Sequence, residues 1–236
     1  MPHLLIYGPP GSGKTTLVYC ILHRIYGSGA LKMKSEMNEF KTNSNKIIEL
    51  SVLSSSFHID ISPSDVKRND RLVVQDLIKS LAQSCSLGQS EKNNFKVVVI
   101  RYANKLSSDA QHALRRTMEK YIATCRVILI CENLSGMTDP VKSRCLCIRN
   151  PAPSPLILRG LLKEVARCEN AKFCTDDIIE KTILHSNSNI RKALLIMQSV
   201  EFQRSNEADD YIFLTDWESL IKHTSDMIVK DQRPKQ

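Results

Sequence analysis

The sequence predicts an α/β fold: a three-layer domain with a parallel β-sheet between helices, followed by a small helical domain. Two observations carry this prediction. Short β-branched runs, among them FKVVVI and RVILIC, alternate with helix-spaced segments through residues 1–150, as in sheets whose strands are buried on both faces. Three prolines then fall within residues 151–155, and no strand signal follows them.

The first domain, residues 1–150, contains short apolar runs that predict strands and helix-spaced segments that predict helices. The strands are predicted at residues 3–7, 47–53, 57–61, 95–100, 126–131 and 145–149. The helices are predicted at residues 14–26, 70–83 and 107–121. Asp109 lies in the first turn of the last of these helices, where a negative charge favours the positive end of the helix dipole.

The second domain, residues 151–205, is predicted to be entirely helical. Apolar residues recur there at helical spacing in three segments, residues 155–169, 176–185 and 189–204. Residues 206–236 form a separate C-terminal segment of mixed character that ends in one more helix.

Positive charge is concentrated in the first part of the chain. The 236 residues have a net charge of +8, and residues 1–150, with 21 basic and 12 acidic side chains, account for +9. This excess favours an anionic partner, with nucleic acid first among the candidates, although a mildly basic surface also serves solubility alone. No run of 18 apolar residues and no signal-peptide pattern occurs, so no membrane partner is expected.

The eight cysteines do not form a recognisable metal or redox motif. No C-x-x-C pair occurs, and no histidine spacing completes a zinc site. Several cysteines lie within apolar runs, where a free thiol behaves as a small hydrophobic group. The pattern therefore favours free thiols in a reducing compartment over a metal or redox role.

The segment after the first strand matches the phosphate-binding motif G-x-x-x-x-G-K-[ST] in full. It follows a predicted strand and opens a predicted helix, which is the context that the motif requires. Lys14 is expected to reach the β- and γ-phosphates of ATP or ADP, and Thr15 to offer its hydroxyl to Mg²⁺. The predicted nucleotide-binding residues of this loop are Gly8, Pro9, Pro10, Gly11, Ser12, Gly13, Lys14, Thr15 and Thr16.

The second part of such a site is normally an acidic residue at the end of a neighbouring strand. That acid completes the magnesium shell, and a following acid positions the attacking water. Here the strand FKVVVI is followed by Arg101, Tyr102, Ala103 and Asn104, with no Asp or Glu. A cation therefore stands where a metal-binding anion is expected.

Five blocks resemble the small subunits of replication factor C, the sliding-clamp loader of the AAA+ class, and most closely its subunit-3 branch. They cover essentially the whole chain in the family's order. They are PHLLIYGPPGSGKTT, SPSDVKRNDR at 62–71, DAQHALRRTMEKY at 109–121, SRC at 143–145 and NIRKALL from residue 189. The resemblance implies a P-loop AAA+ domain followed by a helical lid, within a nuclear hetero-pentamer of replication factor C subunits. That assembly binds the sliding clamp and primer–template DNA in DNA replication and repair.

The resemblance also implies roles for two arginines. Arg144, in the SRC triplet, corresponds to the arginine finger that reaches the nucleotide of the neighbouring subunit. Arg191 corresponds to the sensor-2 arginine of the lid, which lies over the bound nucleotide. From the residues alone, Arg144 would be interpreted as a surface charge, and the alternative for Arg191 is an exposed cation on a helix.

The sequence departs from the family pattern at the catalytic positions and at both ends. Arg101 and Tyr102 replace the metal-binding Asp and the catalytic Glu, and Glu132 replaces the sensor-1 Asn, with Asn133 one position late. The segment that grips adenine and the C-terminal collar are not found in the sequence. We therefore expect nucleotide binding that is weak or magnesium-free, with poor hydrolysis and with Arg101 as a possible phosphate contact.

The resemblance also suggests which cations face DNA. Lys67, Arg68, Arg71 and Lys105 are the candidates for contacts with the DNA backbone, while Arg115 and Arg116 are assigned to coupling between subunits. For each residue, a solvated basic surface is the alternative. Two other functions stay open for the whole chain: an autonomous P-loop nucleotide-binding protein, and a pseudo-subunit that does not assemble.

Overall fold

The computed structural model describes residues 1–41, 47–62, 70–84, 95–171, 174–203 and 216–230. The chain divides into two compact units, Met1–Ala152 and Pro153–Gln236. The division falls within the proline-rich segment at which the sequence predicts a domain boundary.

The first unit is a seven-stranded sheet with helices on both faces. Its strands are β1 (His3–Tyr7), β2 (Lys34–Lys41), β3 (Ile47–Ser54), β4 (His58–Ile61), β5 (Lys96–Ile100), β6 (Cys125–Cys131) and β7 (Cys145–Arg149). Its α-helices are α1 (Lys14–Tyr26), α2 (Asp70–Ser84), α3 (Ser108–Lys120) and α4 (Asp139–Lys142), with 3-10 turns at Ser28–Leu31 and Ala103–Lys105.

Five of the strands form the predicted parallel sheet. The order across the sheet is β2-β3-β4-β5-β6-β1-β7, and every pair from β4 to β7 is parallel. Strands β2 and β3 differ from the prediction, because they form an antiparallel hairpin that extends the sheet beyond β4. Strand β2 was not predicted, because its sequence, KSEMNEFK, alternates charged and apolar residues only weakly.

Alternate residues of β5 explain why a continuous apolar run is needed there. Val97 and Val99 pack in the cluster on the α1 face, whereas Val98 and Ile100 pack in the cluster on the α2 and α3 face. All four side chains are fully buried. The sheet is therefore the middle layer of the three predicted layers, and polar side chains in it need partners.

The second unit is helical in its described residues. Its helices are α5 (Pro155–Cys168), α6 (Asp176–Ser186), α7 (Ile190–Gln203) and α8 (Asp216–Lys230). Ser154 caps α5 by accepting a hydrogen bond from the backbone N–H of Ile157. The core of this unit joins the first three helices through Leu158, Leu162, Ile179, Ala193 and Met197.

The described cysteines are all free thiols. A search of the described helices finds none that has the length and the apolar character needed to cross a membrane.

Candidate functional site

The phosphate loop lies at the carboxyl end of β1 and leads directly into α1. Gly11 and Gly13 have φ angles of 73° and 87°, in the left-handed region that favours glycine. These angles let the loop turn tightly, so that its N–H groups and those of the first turn of α1 form a site for an anion. Pro9, Pro10 and Thr16 are exposed around the loop.

Asn150, just beyond β7, holds this loop in place. Its backbone N–H donates to the carbonyl of Tyr7 at 2.7 Å, and its side-chain amide donates to the carbonyl of Ser12 at 3.0 Å. A Cβ atom on Gly8 would lie 1.9 Å from the carbonyl oxygen of Asn150. Glycine is therefore required at position 8 by the close approach of two backbone segments.

The polar groups inside the loop fit a phosphate. Lys14 is only 8% exposed, and its ammonium donates to the carbonyls of Gly8 at 2.8 Å and Pro9 at 2.7 Å. The hydroxyl of Ser12 is buried and has no hydrogen-bond partner among the described residues. Because a buried hydroxyl without a partner is costly, a phosphate oxygen that accepts from Ser12 would stabilise the loop.

At the end of β5, Arg101 is bonded to a buried carboxylate rather than left free. Its Nε donates to Oδ1 and Oδ2 of Asp60 at 2.8 and 3.0 Å. Its Nη2 donates to the same carboxylate and to the hydroxyl of Tyr19, at 2.6 Å from the hydroxyl. Tyr19 in turn donates to Oδ2 of Asp60 at 2.8 Å. We call these three side chains the Arg101 cluster.

The sheet register explains how the Arg101 cluster forms. Asp60 pairs with Val99 across β4 and β5, so both side chains lie on the face covered by α1, which carries Tyr19. Asp60 is 2% exposed, in a largely apolar layer that also buries His58 of the same strand. A carboxylate in such a place requires a cation and hydrogen bonds, which Arg101 and Tyr19 supply.

The pKa values reflect this mutual dependence. Burial, followed by the charge of Asp60, raises the pKa of Tyr19 to about 12. Burial alone would lower the pKa of Arg101, but the hydrogen bonds and charge of Asp60 outweigh it and raise the pKa above its ordinary value. Arg101 is therefore charged, and Tyr19 keeps its proton, throughout the physiological range.

The residues at this edge of the sheet do not fit a magnesium site. Mg²⁺ prefers carboxylate, hydroxyl and water oxygens in octahedral geometry. Thr15, which is half-buried in the first turn of α1, offers one hydroxyl. Asp60 already binds Arg101 and Tyr19, and the described residues contain no group of three or more His, Cys, Asp or Glu side chains that could hold a metal ion.

Tyr102 stands where the catalytic acid is expected. Its backbone is left-handed, with φ 51°, and its side chain is 40% exposed. The ammonium of Lys105 lies 4.9 Å from the centre of its ring. At the end of the neighbouring strand β6, Glu132 is half-buried and Asn133 is exposed. Tyr102 therefore offers a phenol where a carboxylate is expected.

Arg144, between α4 and β7, is held by two acceptors. Its Nε donates to Oε1 of Glu119 on α3 at 2.6 Å, and Nη2 contacts the same atom. Its Nη1 donates to the carbonyl of Pro140 at 2.8 Å. Arg115 approaches the same carboxylate, with its Nε 3.8 Å from Oε1.

The remaining predicted residues lie apart from the phosphate loop along the chain. Arg71 and Lys105 are exposed near the starts of α2 and α3, and Asp70 joins those starts by accepting from the N–H and hydroxyl of Ser107. Lys67 and Arg68 lie outside the described residues. Arg191 is exposed in the first turn of α7 in the second unit.

Comparisons with known proteins agree on one family. Residues 2–153 match the family model described as DNA polymerase III, delta subunit, and residues 160–202 match the model described as RCF1/5-like, AAA+ ATPase lid domain. Replication factor C subunit 3 of Mus musculus is 42% identical over 99% of this chain and 65% of its own length. Replication factor C subunit 5 of Saccharomyces cerevisiae is 40% identical over 98% of this chain and 68% of its own length.

The chain belongs to the replication factor C subunit 3/5 family. The predicted resemblance is confirmed. The chain spans about two thirds of the length of these relatives. The structure of the Thermotoga maritima RuvB Holliday junction branch migration motor has a TM-score of 0.59 and 18% identity, covering 98% of this chain and 63% of that one. This likeness and the lid match confirm the AAA+ fold with a helical lid.

Within this replication factor C family member, sequence reasoning identified the loop but missed its supports. Asn150 acts on Ser12 from 138 positions away, and Asp60 acts on Arg101 from 41 positions away. A signal existed for Asp60, since a charged residue in the short strand HIDI, beside strands buried on both faces, requires a partner. No comparable signal marked Asn150 or Glu119.

Proposed function

We propose that this chain is a subunit of an ATP-dependent DNA sliding-clamp loader that acts in DNA replication and repair in the nucleus. One observation carries the proposal: a complete phosphate loop is combined with Arg101, fixed by Asp60, at the position of the metal-binding acid. Together with membership of the replication factor C family, this favours a subunit that holds nucleotide and contributes little hydrolysis of its own.

The chain's own site binds ATP or ADP in this proposal. Lys14 exchanges its two loop carbonyls for phosphate oxygens, while Ser12 and the loop N–H groups donate to the same phosphates. Hydrolysis is expected to be slow because Tyr102 replaces the acid that activates water, and loss of such a base costs about 10²–10⁴-fold in rate. Arg191 of the lid is the proposed further nucleotide contact.

Arg144 acts in trans, as an arginine finger on the nucleotide of a neighbouring subunit. Its Nε and Nη2 already converge on one carboxylate oxygen of Glu119, and the same donors can bind the oxygens of a phosphate. Glu119 is half-exposed, so water can replace Arg144 when the finger moves to the neighbour. The proposed partners are the other replication factor C subunits.

Primer–template DNA and the sliding clamp complete the set of proposed partners. The link from Asp70 to Ser107 brings the starts of α2 and α3 together, which places Arg71 and Lys105 at one edge of the first unit. Two exposed cations at one edge suit a phosphate backbone, and Lys67 and Arg68 belong to the same proposed contact. Such binding is independent of sequence and weakens as salt rises.

The test is assembly followed by ATPase measurement. The full chain is mixed with the other loader subunits, and co-elution in size-exclusion chromatography is recorded for wild type, Arg144→Ala and the control Arg24→Ala, an exposed arginine on α1. Co-elution of all three, with a drop of about 10³-fold or more in the neighbour's ATPase for Arg144→Ala alone, is expected.

Unchanged ATPase in complexes that contain Arg144→Ala would overturn the trans role. A chain that elutes alone in the presence of all the other subunits would overturn the subunit proposal. That outcome would favour a P-loop nucleotide-binding protein that does not assemble.

A further inference from the structure

The Arg101 cluster lies one helical turn beyond the residue that would offer oxygen to a metal. Thr15 and Tyr19 are four residues apart on α1, so their side chains share one face of the helix. Tyr19 carries the hydroxyl that joins Asp60 and Arg101. The cluster and Thr15 therefore lie on the same side of α1, one turn apart.

Asp60 is already committed to the Arg101 cluster. Arg101 donates to both of its oxygens and Tyr19 donates to Oδ2. A metal that recruited Asp60 would have to break an ion pair whose carboxylate side chain is 1% exposed, and would leave Arg101 without its partner.

Arg101 nonetheless keeps one end of its guanidinium for another acceptor. Nε and Nη2 bind Asp60 and Tyr19, whereas Nη1 makes no hydrogen bond within the described part of the chain. The side chain as a whole is 31% exposed. Guanidinium donors bind phosphate oxygens strongly, and a fixed cation repels a divalent ion.

We propose that the phosphate loop of this chain binds ATP or ADP without a divalent cation, with Arg101, fixed by Asp60 and Tyr19, taking the place of the metal as phosphate ligand. This inference rests on the nucleotide binding proposed above. It follows from an arrangement in which the carboxylate of the cluster is engaged by Arg101 and Tyr19, while the groups that face the anion are the Lys14 ammonium, the Ser12 hydroxyl and N–H donors.

The experiment is a titration of the full chain with N-methylanthraniloyl-ADP and N-methylanthraniloyl-ATP, in excess magnesium and in excess EDTA. Dissociation constants that agree within about twofold in the two buffers are expected, since no residue here gains from the metal. Lys14→Ala is expected to abolish binding in both buffers. The control Arg24→Gln, an exposed arginine on the same helix, is expected to bind as wild type does.

A second variant tests Arg101 itself without leaving a buried charge. The pair Asp60→Asn with Arg101→Gln keeps side chains of similar size and removes both charges, and its folding is checked by thermal unfolding. Its affinity in EDTA is expected to fall about tenfold or more, the loss that follows from removing a charged hydrogen bond to phosphate. Unchanged affinity in EDTA would overturn the role of Arg101.

The other outcomes distinguish failure of metal-independent binding from failure of nucleotide binding itself. Binding that strengthens tenfold or more in magnesium would overturn metal independence and leave nucleotide binding intact. No binding in either buffer, or binding that survives Lys14→Ala, would overturn nucleotide binding at the phosphate loop and the inference with it.

Discussion

Two arginine–carboxylate pairs in the first unit differ in one respect that decides what each can do. The arginines are equally accessible, with side chains 31% exposed at Arg101 and 33% at Arg144. Their partners are not, because Asp60 is 1% exposed and Glu119 is 50% exposed. Water can solvate Glu119 after its arginine leaves, but it cannot solvate Asp60. The first pair is therefore fixed, and the second is free to exchange partners.

The strongest test of this difference is removal of each arginine. Arg101→Met leaves Asp60 charged and buried without a cation, and we expect the free energy of unfolding to fall by about 3–5 kcal/mol. Arg144→Met leaves Glu119 in contact with water, and we expect a loss of about 1 kcal/mol or less. Urea unfolding of both variants measures the two values.

A companion variant shows whether the unpaired charge is the cause. Asp60→Leu combined with Arg101→Met should recover most of the stability, because an apolar pair replaces a charged one. Equal losses of unfolding free energy for Arg101→Met and Arg144→Met would contradict the difference between the two pairs.

A smaller loss of stability is expected when Tyr19 is changed. Tyr19 bonds to the Asp60–Arg101 pair, and no hydrogen bond within the described residues joins it to the Glu119–Arg144 pair. Tyr19→Phe removes one hydrogen bond to the carboxylate and one from the guanidinium, and we expect a loss of about 2 kcal/mol at neutral pH. The matched control is Tyr121→Phe, at the C-terminal end of α3 and outside the Arg101 cluster.

The Tyr19 hydroxyl also makes the stability of the fold depend on pH in the alkaline range. The pKa of Tyr19 is raised to about 12, above the ordinary value of 10.0, so its protonated form stabilises the fold fully below pH 10. That contribution is lost as the pH rises from about 10 to about 12, where the folded state must also release the proton. Tyr19→Phe should lack this part of the pH dependence in unfolding experiments, and an identical alkaline profile in the variant would contradict it.

The smallest effect on stability is expected at the exchangeable pair. Glu119→Gln should lower the free energy of unfolding by about 0.2–1 kcal/mol, and about 1 M salt should remove most of the difference from wild type. If Arg144 acts in trans as proposed, this variant in the assembled loader should keep the neighbour's ATPase, because the arginine is not held more tightly than in wild type. A loss as large as that of Arg144→Ala would mean that Glu119 positions the finger instead of releasing it.

The features that the sequence predicted well are those encoded by neighbouring residues. The phosphate loop is a contiguous motif whose glycines and Lys14 act within a few positions of each other, and the buried strands β5 and β6 are unbroken apolar runs. The hairpin strand β2 escaped prediction because most of its side chains face solvent, and pairing with β3, rather than an apolar pattern, makes it a strand.

The parts of the site that the sequence did not predict depend on contacts across the fold. The reversal of charge at Arg101 was evident from the sequence, but its acceptor was not, because only the register of β4 and β5 places Asp60 beside it. Arg144 was identified through the SRC triplet, whereas Glu119 emerged only from the contact between α3 and the end of α4. Propensity and motif reasoning do not supply such pairings.

The bond from Asn150 to the phosphate loop has a mechanical consequence. Asn150 is bonded to the loop on one side, and on the other it is followed by Pro151 and Pro153, where the second unit begins. Proline fixes φ, so the backbone just after Asn150 has fewer free torsions than most connections. Because the backbone of Asn150 is itself bonded to Tyr7, a displacement of the Ser12 carbonyl is opposed by the end of β7, and loop and strand move together.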